Sequence, residues 1–427
     1  MARVGRSDDG RRRISFGEAI RLGGLFGAIY FIQSLSDPNT GLISQPDNSL
    51  LRDWGRNTKD VATFGALLTL PWCLKPFFGM LSDFVPLAKL RRKSYLILNS
   101  LAAAIGFAAL YVTPMPEGAE RPLLSWLLLS SLGIIFCNVV VDGLLVETGQ
   151  SLGITGRLQS AQWAAIHLGA IVSGFAGGIL SKNRLQRSGF LLCGILMAGS
   201  LLISVLFVQE PATPPRYKWR DLLVNLKDAL RSPAVLAVGA FAFVWSFNPF
   251  TQSVLYMHMT EALGYSDGFY GNTVSLIAVG ALVASICYGL YCRRMPMRWQ
   301  VHVSILAGIF SSWVYWALGG ESSATIVSVV SGFSYMTGNM VLVNLAARAC
   351  PEDTPATLFA IFMALCNVGS ATGTWLGGVI YEHGKVHWST IASFNLLVFV
   401  AGATTAACWM LMPFLPERLL ATISDEE

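Results

Sequence analysis

Long apolar stretches dominate the chain, and short polar segments separate them. A helix needs about 20 apolar residues to cross the hydrocarbon core of a bilayer. The stretches cover residues 18–36, 60–82, 94–113, 122–146, 158–180, 189–208, 234–257, 268–292, 299–318, 324–347, 355–381 and 389–413. This pattern predicts an all-α integral membrane protein with twelve transmembrane helices. Pro38 either kinks the first helix, which then continues through Leu42 and Ile43, or ends it.

Composition agrees with this pattern. Of the 427 residues, 53% are hydrophobic and only 13% are charged, whereas a soluble domain carries about 25% charged residues. A soluble protein of this size would lack the charges to build a polar exterior. We therefore exclude a soluble globular protein and expect the lipid bilayer to be the main partner of the chain.

Lys and Arg residues set the predicted orientation. With the N-terminus in the cytoplasm, most of the 30 Lys and Arg residues fall in cytoplasmic segments, as the positive-inside rule requires. An even number of spans then returns the C-terminus to the cytoplasm. We predict a multi-pass protein of the cell (inner) membrane, with both termini cytoplasmic. No basic, aromatic-rich domain lies outside the apolar stretches, so nucleic acid is not an expected partner.

A polar segment in the middle of the chain divides it into two halves. Within it, residues 218–231 carry apolar side chains at helical spacing among charges, which predicts an amphipathic helix on the cytoplasmic surface. The predicted domains are an N-terminal six-helix bundle, a cytoplasmic linker and a C-terminal six-helix bundle. Their residues are 1–208, 209–233 and 234–427.

An internal repeat supports this division. Ile166-His167-Leu168-Gly169 corresponds to Cys366-Asn367-Val368-Gly369, and Gly177-Gly178 corresponds to Gly377-Gly378. Both segments lie in the fifth span of their half and run in the same direction. This is the parallel duplication of major facilitator transporters, so we predict the major facilitator fold.

The loop after the second span predicts a gate. Gly79 is followed by Asp83 four residues later and then by the basic pair Arg91-Arg92. A carboxylate at a helix end can bind an arginine or a neighbouring helix N-terminus in one state and release it in another. We expect Glu147, near the membrane surface, to pair with Arg91 or Arg92. The alternative is a positive-inside anchor beside a solvated Asp83.

Two ionisable residues, Lys75 and Asp142, fall inside predicted spans, where each costs about 2.5–3.5 kcal/mol on insertion scales. Lys75 either attracts an anionic substrate or alternates between that substrate and Asp142. The alternatives are a fixed structural pair, or a Lys75 side chain that extends to the cytoplasmic surface. Asn138 shares a helix face with Asp142. Asp142 and His167 are the candidates for binding a coupling proton.

Further polar residues are predicted to line a central cavity. In the major facilitator fold the first and fourth spans of each half surround it, and an i, i+4 spacing places two residues on one helix face. Two pairs of cavity candidates on these spans have this spacing, Gln33 with Asp37 and Asn248 with Gln252. Asn339 and Asn344 are further candidates, five residues apart and only loosely aligned. The alternative is that these side chains form interhelical hydrogen bonds that stabilise packing.

Several motifs resemble those of the folate–biopterin transporter family, which is related to the major facilitators. The motif of the second span comprises Pro71-Trp72, Lys75-Pro76, Gly79, Ser82-Asp83, Pro86 and Arg91-Arg92. The other similar motifs are Tyr30-Phe31-Ile32-Gln33, the segment from Asn138 to Glu147, and Phe359-Ala360-Ile361-Phe362-Met363 with Asn367 and Gly369. The resemblance implies a transporter of a folate-like or pterin-like organic anion.

We therefore expect a secondary active transporter of a small organic solute that works by alternating access, with a proton as a possible coupling ion. The same fold could instead carry a sugar, a nucleoside, a peptide or an iron complex. The chain has no HExxH or Walker sequence and no catalytic cluster, so we expect no enzyme, no cofactor and no metal site. A non-transporting membrane protein is the remaining alternative. We expect a monomer.

Overall fold

The computed structural model describes residues 16–87, 90, 92–152, 155–208, 210, 231–291, 295–350 and 355–420. The helices before residue 210 are α1 (Phe16–Ser36), α2 (Ser44–Asp53), α3 (Thr58–Cys73), α4 (Lys75–Phe84), α5 (Lys93–Val112), α6 (Glu120–Leu152), α7 (Thr155–Lys182) and α8 (Gln186–Leu206). We refer to these as the N-terminal set. The predicted amphipathic helix of the linker lies outside the described residues.

The helices after residue 231 form the C-terminal set. They are α9 (Pro233–Ser246), α10 (Gln252–Met257), α11 (Asp267–Tyr291), α12 (Met297–Trp313), α13 (Glu321–Arg348), α14 (Pro355–His387), α15 (Thr390–Ala406) and α16 (Glu417–Leu420). A π-helical turn over His258–Ala262 follows α10. Two 3₁₀ segments, Val314–Ala317 and Ala407–Phe414, follow α12 and α15.

The all-α prediction is confirmed. In the part of the chain that the structure describes, nine helices are long and apolar enough to cross a membrane. Helix α1, the divided segment α9–α10 and the 17-residue α12 are not among these nine. The total of twelve spans therefore stays a prediction.

The first helix of each set is interrupted by the same kind of turn. Helix α1 ends at Ser36, and Asp37 Oδ1 then accepts a hydrogen bond from the Asn39 amide at 3.2 Å. Helix α9 ends at Ser246, and Asn248 Oδ1 accepts one from the Phe250 amide at 2.8 Å. A proline follows each acceptor, and this Asx turn ends the helix because the side chain replaces a helical backbone bond.

These turns correct one step of the sequence argument. The predicted shared faces of Gln33 with Asp37 and of Asn248 with Gln252 require a continuous helix. Asp37 lies beyond the end of α1, and Asn248 lies in the gap between α9 and α10. Hydropathy averaged over residues 234–257 does not reveal the second turn, because apolar residues flank Asn248-Pro249 on both sides.

The second predicted span is also broken, at Leu74 between α3 and α4. Pro76 has no amide hydrogen for the Trp72 carbonyl four residues earlier. Instead, the Asn367 side-chain amide of α14 donates to that carbonyl at 3.0 Å. The break therefore exposes a backbone acceptor that the C-terminal set satisfies, and it places Lys75 in the first turn of α4.

Two long helix pairs join the sets. Helix α7 packs along α11, and α3 packs along α14. Gly178 of α7 allows the first approach, since a Cβ there would lie 3.0 Å from the Gly271 Cα of α11. Gly378 of α14 lies in the same way against Ala62 of α3. Each set also has its own apolar core, such as Leu96, Ile135 and Val140 in one and Phe241, Ile305 and Leu345 in the other.

Candidate functional site

Lys75 lies in a polar environment within the N-terminal set. Its Nζ donates a hydrogen bond to Asn138 Oδ1 of α6 at 2.7 Å. It also lies 4.5 Å from the centroid of the Trp72 ring, which is a favourable position for a cation over an aromatic face. Asn138 Nδ2 in turn donates to Gln33 Oε1 of α1 at 3.1 Å. The helix break at Leu74 thus turns an ammonium toward α1 and α6.

Asp142 lies one helical turn after Asn138 on the same face of α6. Its Oδ1 accepts a hydrogen bond from the Tyr30 hydroxyl at 2.5 Å and another from Gln162 Nε2 of α7 at 3.0 Å. Tyr30 and Gln33 are buried, whereas Asp142 is only partly buried. We name the six residues Tyr30, Gln33, Lys75, Asn138, Asp142 and Gln162 the polar cluster.

Charge in the polar cluster is not neutralised by a direct ion pair. Among the described residues, Lys75 bonds to an amide oxygen, while Asp142 bonds to a hydroxyl and an amide. The carboxylates of Asp142 and Asp37 both lie within coulombic range of the Lys75 ammonium. In this conformation Lys75 and Asp142 do not bond directly to each other. The roles predicted for both residues stay predictions.

The structure brings together four of the nine cavity candidates: Gln33, Lys75, Asn138 and Asp142. Asp37 accepts a hydrogen bond from the Thr40 hydroxyl at 2.7 Å within its own turn. Asn39, two residues later, donates from its side-chain Nδ2 to Thr69 Oγ1 of α3 at 3.0 Å. Asp37 therefore stabilises the chain segment after α1 and influences Lys75 only through its charge.

The remaining cavity candidates lie in the C-terminal set and do not meet one another. Asn248 Nδ2 donates to Ser312 Oγ at 3.4 Å, and the Gln252 side chain is exposed. Asn344 Nδ2 donates to the Tyr288 hydroxyl at 2.9 Å. Asn339 lies 3.9 Å from the Met336 sulfur, which is a weak contact. For Asn248 and Asn344, the hydrogen bonds match the packing alternative.

His167, the second proton candidate, lies apart from the polar cluster. Its ring is buried, and Nε2 lies 3.3 Å from the Ser285 hydroxyl of α11. The Trp163 ring stacks on it with the ring centroids 5.9 Å apart. His167 therefore lies where α7 meets the C-terminal set, and its role in proton binding stays a prediction.

Part of the region predicted to form the gate lies in the described residues, and its role as a gate stays a prediction. Arg92 NH2 and Glu147 Oε1 form an ion pair at 2.9 Å, which is the pairing expected for Glu147. The Arg92 guanidinium lies over Gly143, where any side chain would collide with it. Gly79 packs against Val139 of α6. Arg91 and the side chain of Asp83 lie outside the described residues.

Sequence reasoning missed a carboxylate beside this gate. Glu210, just after α8, accepts hydrogen bonds from the backbone amides of Arg92 at 2.9 Å and Lys93 at 2.8 Å. A carboxylate at a helix N-terminus satisfies free amides and interacts favourably with the helix dipole. No local signal marks this partner, because more than a hundred residues separate it from the helix that it caps.

Three members of the Lys75 environment were also not identified as site residues. The signal for Tyr30 was available, because Tyr30 and Gln33 are three residues apart and therefore share a face of α1. Trp72 lies two residues before the break at Leu74. Gln162 could not have been chosen from the other polar residues of α7 without knowing how α6 and α7 pack.

Comparison with known proteins gives this geometry a context. The folate-biopterin transporter of Synechocystis sp. is 30% identical over 415 residues, covering 91% of this chain and 80% of that protein. The probable folate-biopterin transporter 4 of Arabidopsis thaliana is 22% identical over 382 residues, covering 72% and 78%. A crystal structure of a mutant of the nucleoside transporter NupG superposes with a TM-score of 0.73 at 13% identity, over 92% of this chain and 100% of that chain.

The structural similarity confirms the major facilitator fold, and at this identity it shows the fold alone. The named relatives confirm a membrane transporter rather than an enzyme. A lipid bilayer and a small-molecule substrate follow as its partners. The resemblance seen in the motifs is confirmed as well, since the model of the BT1 family matches residues 45–427. The chain belongs to the BT1 family, that of the folate–biopterin transporters.

Proposed function

We propose that this transporter moves a small organic anion of the folate or pterin class across the cytoplasmic membrane by alternating access, coupled to a proton. The observation that carries the proposal is the Lys75 ammonium, which the second span holds inside the bundle against Asn138 and Trp72. The names of the relatives support the same class of cargo.

The polar cluster offers complementary contacts for such a cargo. An ammonium that carries no direct ion pair attracts a carboxylate strongly, because little water competes within the bundle. The Trp72 ring provides a flat apolar surface, and π-systems stack in offset arrangements. The Asp142 carboxylate accepts hydrogen bonds and suits the N–H edge of an aminopyrimidinone ring. The polar cluster therefore offers contacts for both a carboxylate and an N–H edge.

Asp142 is the proposed proton-binding residue. A carboxylate inside a span is costly when charged, and Tyr30 and Gln162 donate hydrogen bonds to its charged form. Protonation of Asp142 would weaken both bonds and change the local charge beside Lys75. The alternative is His167, whose contact with Ser285 reaches the other set.

The proposal includes the placement of the protein in the cell. Both termini are cytoplasmic, in agreement with the positive-inside pattern. The transporter acts as a monomer, and its two domains are the bundles of residues 1–208 and 234–427.

Uptake measurements test the proposed site. We expect Lys75→Ala and Asp142→Asn to reduce proton-dependent uptake of labelled folate or pterin at least about tenfold, equivalent to ~1.4 kcal/mol. Lys59→Ala and Asp60→Asn are matched controls, because both side chains are exposed at the start of α3. All four variants should reach the membrane in equal amounts. Wild-type uptake by both site variants would reject their assignment.

A binding screen tests the cargo class separately. Ligand at a hundred times its Kd stabilises a protein by about 2.7 kcal/mol, so purified transporter should unfold at a higher temperature with folate or pterin. Nucleosides, sugars, peptides and iron chelates are the comparison ligands. Stabilisation by one of these, with none by folate or pterin, would replace the proposed cargo while leaving the transporter fold intact.

A further inference from the structure

Helix α2 lies between the two sets. Sequence analysis treated this region as a polar connection, but the structure folds residues Ser44–Asp53 into a short helix. It contacts α7 and α8 of its own set and also α10 and α11 of the C-terminal set. Its polar residues Gln45, Asp47 and Ser49 are buried rather than solvated. We name the end of the molecule where α2 lies the α2 face.

An arginine at the end of α2 binds the first residue of α11. Arg52 NH1 lies 2.9 Å from Asp267 Oδ1, and Arg52 NH2 lies 3.0 Å from Asp267 Oδ2. Both side chains are largely shielded, with exposed fractions of 23% and 12%. Two parallel bonds from a planar guanidinium give a stronger and more directional contact than a single exposed ion pair.

Tyr256 of α10 completes this contact. Its hydroxyl donates to Asp267 Oδ1 at 2.9 Å, and the Arg52 guanidinium lies 5.4 Å from the centroid of its ring. The Gln45 side-chain amide donates to the Asp267 backbone carbonyl at 2.5 Å. Burial lowers the pKa of Arg52, but the hydrogen bond to Asp267 and the charges of Tyr256, Asp267 and Asp53 together raise it overall. One carboxylate therefore connects α2, α10 and α11.

A second connection lies at the same face. The Thr58 amide at the start of α3 donates to Glu382 Oε2 of α14 at 3.2 Å. Lys385 Nζ lies 3.5 Å from Glu382 Oε2 and 3.8 Å from Glu261 Oε2, so it forms an ion pair with each carboxylate. The N-terminal amides of a helix interact favourably with a carboxylate. Glu382 therefore joins α14 to α3, just as Asp267 joins α11 to α2.

The gate near α4 and α5 differs from this arrangement. Arg92 and Glu147 both belong to the N-terminal set, and Glu210 follows α8. Among the ion pairs between described residues, Arg52 with Asp267 is the one that joins the two sets. Among the described residues, this ion pair between the sets therefore lies at the α2 face.

We propose that Arg52, Asp267 and Tyr256 form a latch that closes the α2 face to the cargo and must open once in each transport cycle. The inference rests on the proposed alternating-access function, and it adds the residues that hold one side shut. Because α2 contacts helices of both sets, breaking the latch would let the sets separate at this face and approach each other at the opposite one.

Hydrogen–deuterium exchange of the purified full-length protein tests the latch without any cargo. We expect Asp267→Asn to raise exchange roughly tenfold in peptides over α2 and α10, since local opening sets the exchange rate. Exchange at the opposite face, in peptides over α4 and the first turns of α5, should fall. Arg52→Gln should act similarly, and Tyr256→Phe should have a smaller effect in the same directions.

The matched control is Glu120→Gln, which makes the same carboxylate-to-amide change in the Arg56–Glu120 ion pair inside the N-terminal set. It should leave exchange at both faces as in the wild type. Faster exchange at the α2 face without slower exchange at the opposite face would show a local brace and overturn the latch. The result is separable from the cargo assignment, because failed folate uptake leaves the exchange pattern unchanged.

Discussion

Lys75 and Asp142 are each held by uncharged neighbours, although their charges are opposite and close enough to interact. In this arrangement either group can replace its hydrogen-bond partner with a substrate or a proton at a small cost in free energy. If the two groups formed a direct ion pair inside the bundle, separating them would cost more, because each buried charge would then be left without its partner.

Removal of the Tyr30 hydroxyl tests how Asp142 is held. Tyr30→Phe keeps the buried ring but removes the 2.5 Å hydrogen bond. Hydrogen bonds to charged groups contribute about 1.5–3 kcal/mol, so we expect uptake to fall roughly tenfold or more while the amount of protein stays constant. Tyr111→Phe is the control, since that ring is more exposed and stacks on Arg187. Unchanged uptake by Tyr30→Phe would show that the hydroxyl does not orient Asp142.

Gly143 provides a second test at this scale. A valine there would collide with the Arg92 guanidinium and displace it from Glu147. Crowding a packed site costs typically about 1–3 kcal/mol, and the cost here should be at the low end because the end of the Arg92 side chain can move aside. Gly143→Val should therefore lower the thermal unfolding temperature slightly and reduce uptake. Gly199→Val of α8 should be nearly neutral, because a Cβ there meets no atom within 4 Å. Equal stability of the two variants would argue against the tight Arg92 contact.

Helices were the most predictable elements. The predicted third span, 94–113, and the observed α5, Lys93–Val112, differ by one residue at each end. Breaks at Leu74 and after Ser246 were missed, because averaged hydropathy does not register a local Asx turn or the loss of one amide at a proline. Helix α2 was missed because its buried polar residues follow no apolar period and are buried by contacts with distant helices.

The Asx turn between α9 and α10 leads to a specific prediction. Asn248→Ala removes the acceptor for the Phe250 amide, whereas Asn248→Asp keeps it. We expect the alanine variant to unfold at a lower temperature, by an amount equivalent to about 0.5–2 kcal/mol, as for loss of a helix cap. The aspartate variant should retain more of the stability. A more stable alanine variant would show that the turn is not held by this side chain.

At the scale of the whole molecule, the polar cluster could be predicted only in part. Lys75, Asn138 and Asp142 stand out as polar residues in apolar spans, but Tyr30 and Gln162 join them through contacts across more than a hundred residues and twenty residues, respectively. The parallel repeat predicted the major facilitator fold, because duplication leaves a trace in the glycine positions. Gly178 and Gly378 mark contacts between the sets in the same way, but polar contacts between the sets, such as Arg52 with Asp267, leave no trace in the sequence pattern.

Orientation in the membrane can be tested across a single span. Asp60 and Val85 are exposed at opposite ends of the segment α3–α4. If both termini are cytoplasmic, an impermeant thiol reagent added to intact cells should label Asp60→Cys and leave Val85→Cys unlabelled until the cells are opened. The parent chain, which keeps its native cysteines, provides the background. The reverse labelling pattern would invert the proposed topology.

The repeated glycines of α7 and α14 have a consequence for how the two sets pack. Gly169 faces Ser34 of α1, and its counterpart Gly369 faces Phe243 of α9. Gly177 and Gly377 meet the chain just after those helices, and Gly178 and Gly378 meet the opposite set. The glycines of the two copies therefore have equivalent neighbours, as a parallel duplication predicts. A bulky side chain at Gly178 or Gly378 would therefore widen one contact between the sets and leave its counterpart unchanged, which would tilt the two sets relative to each other.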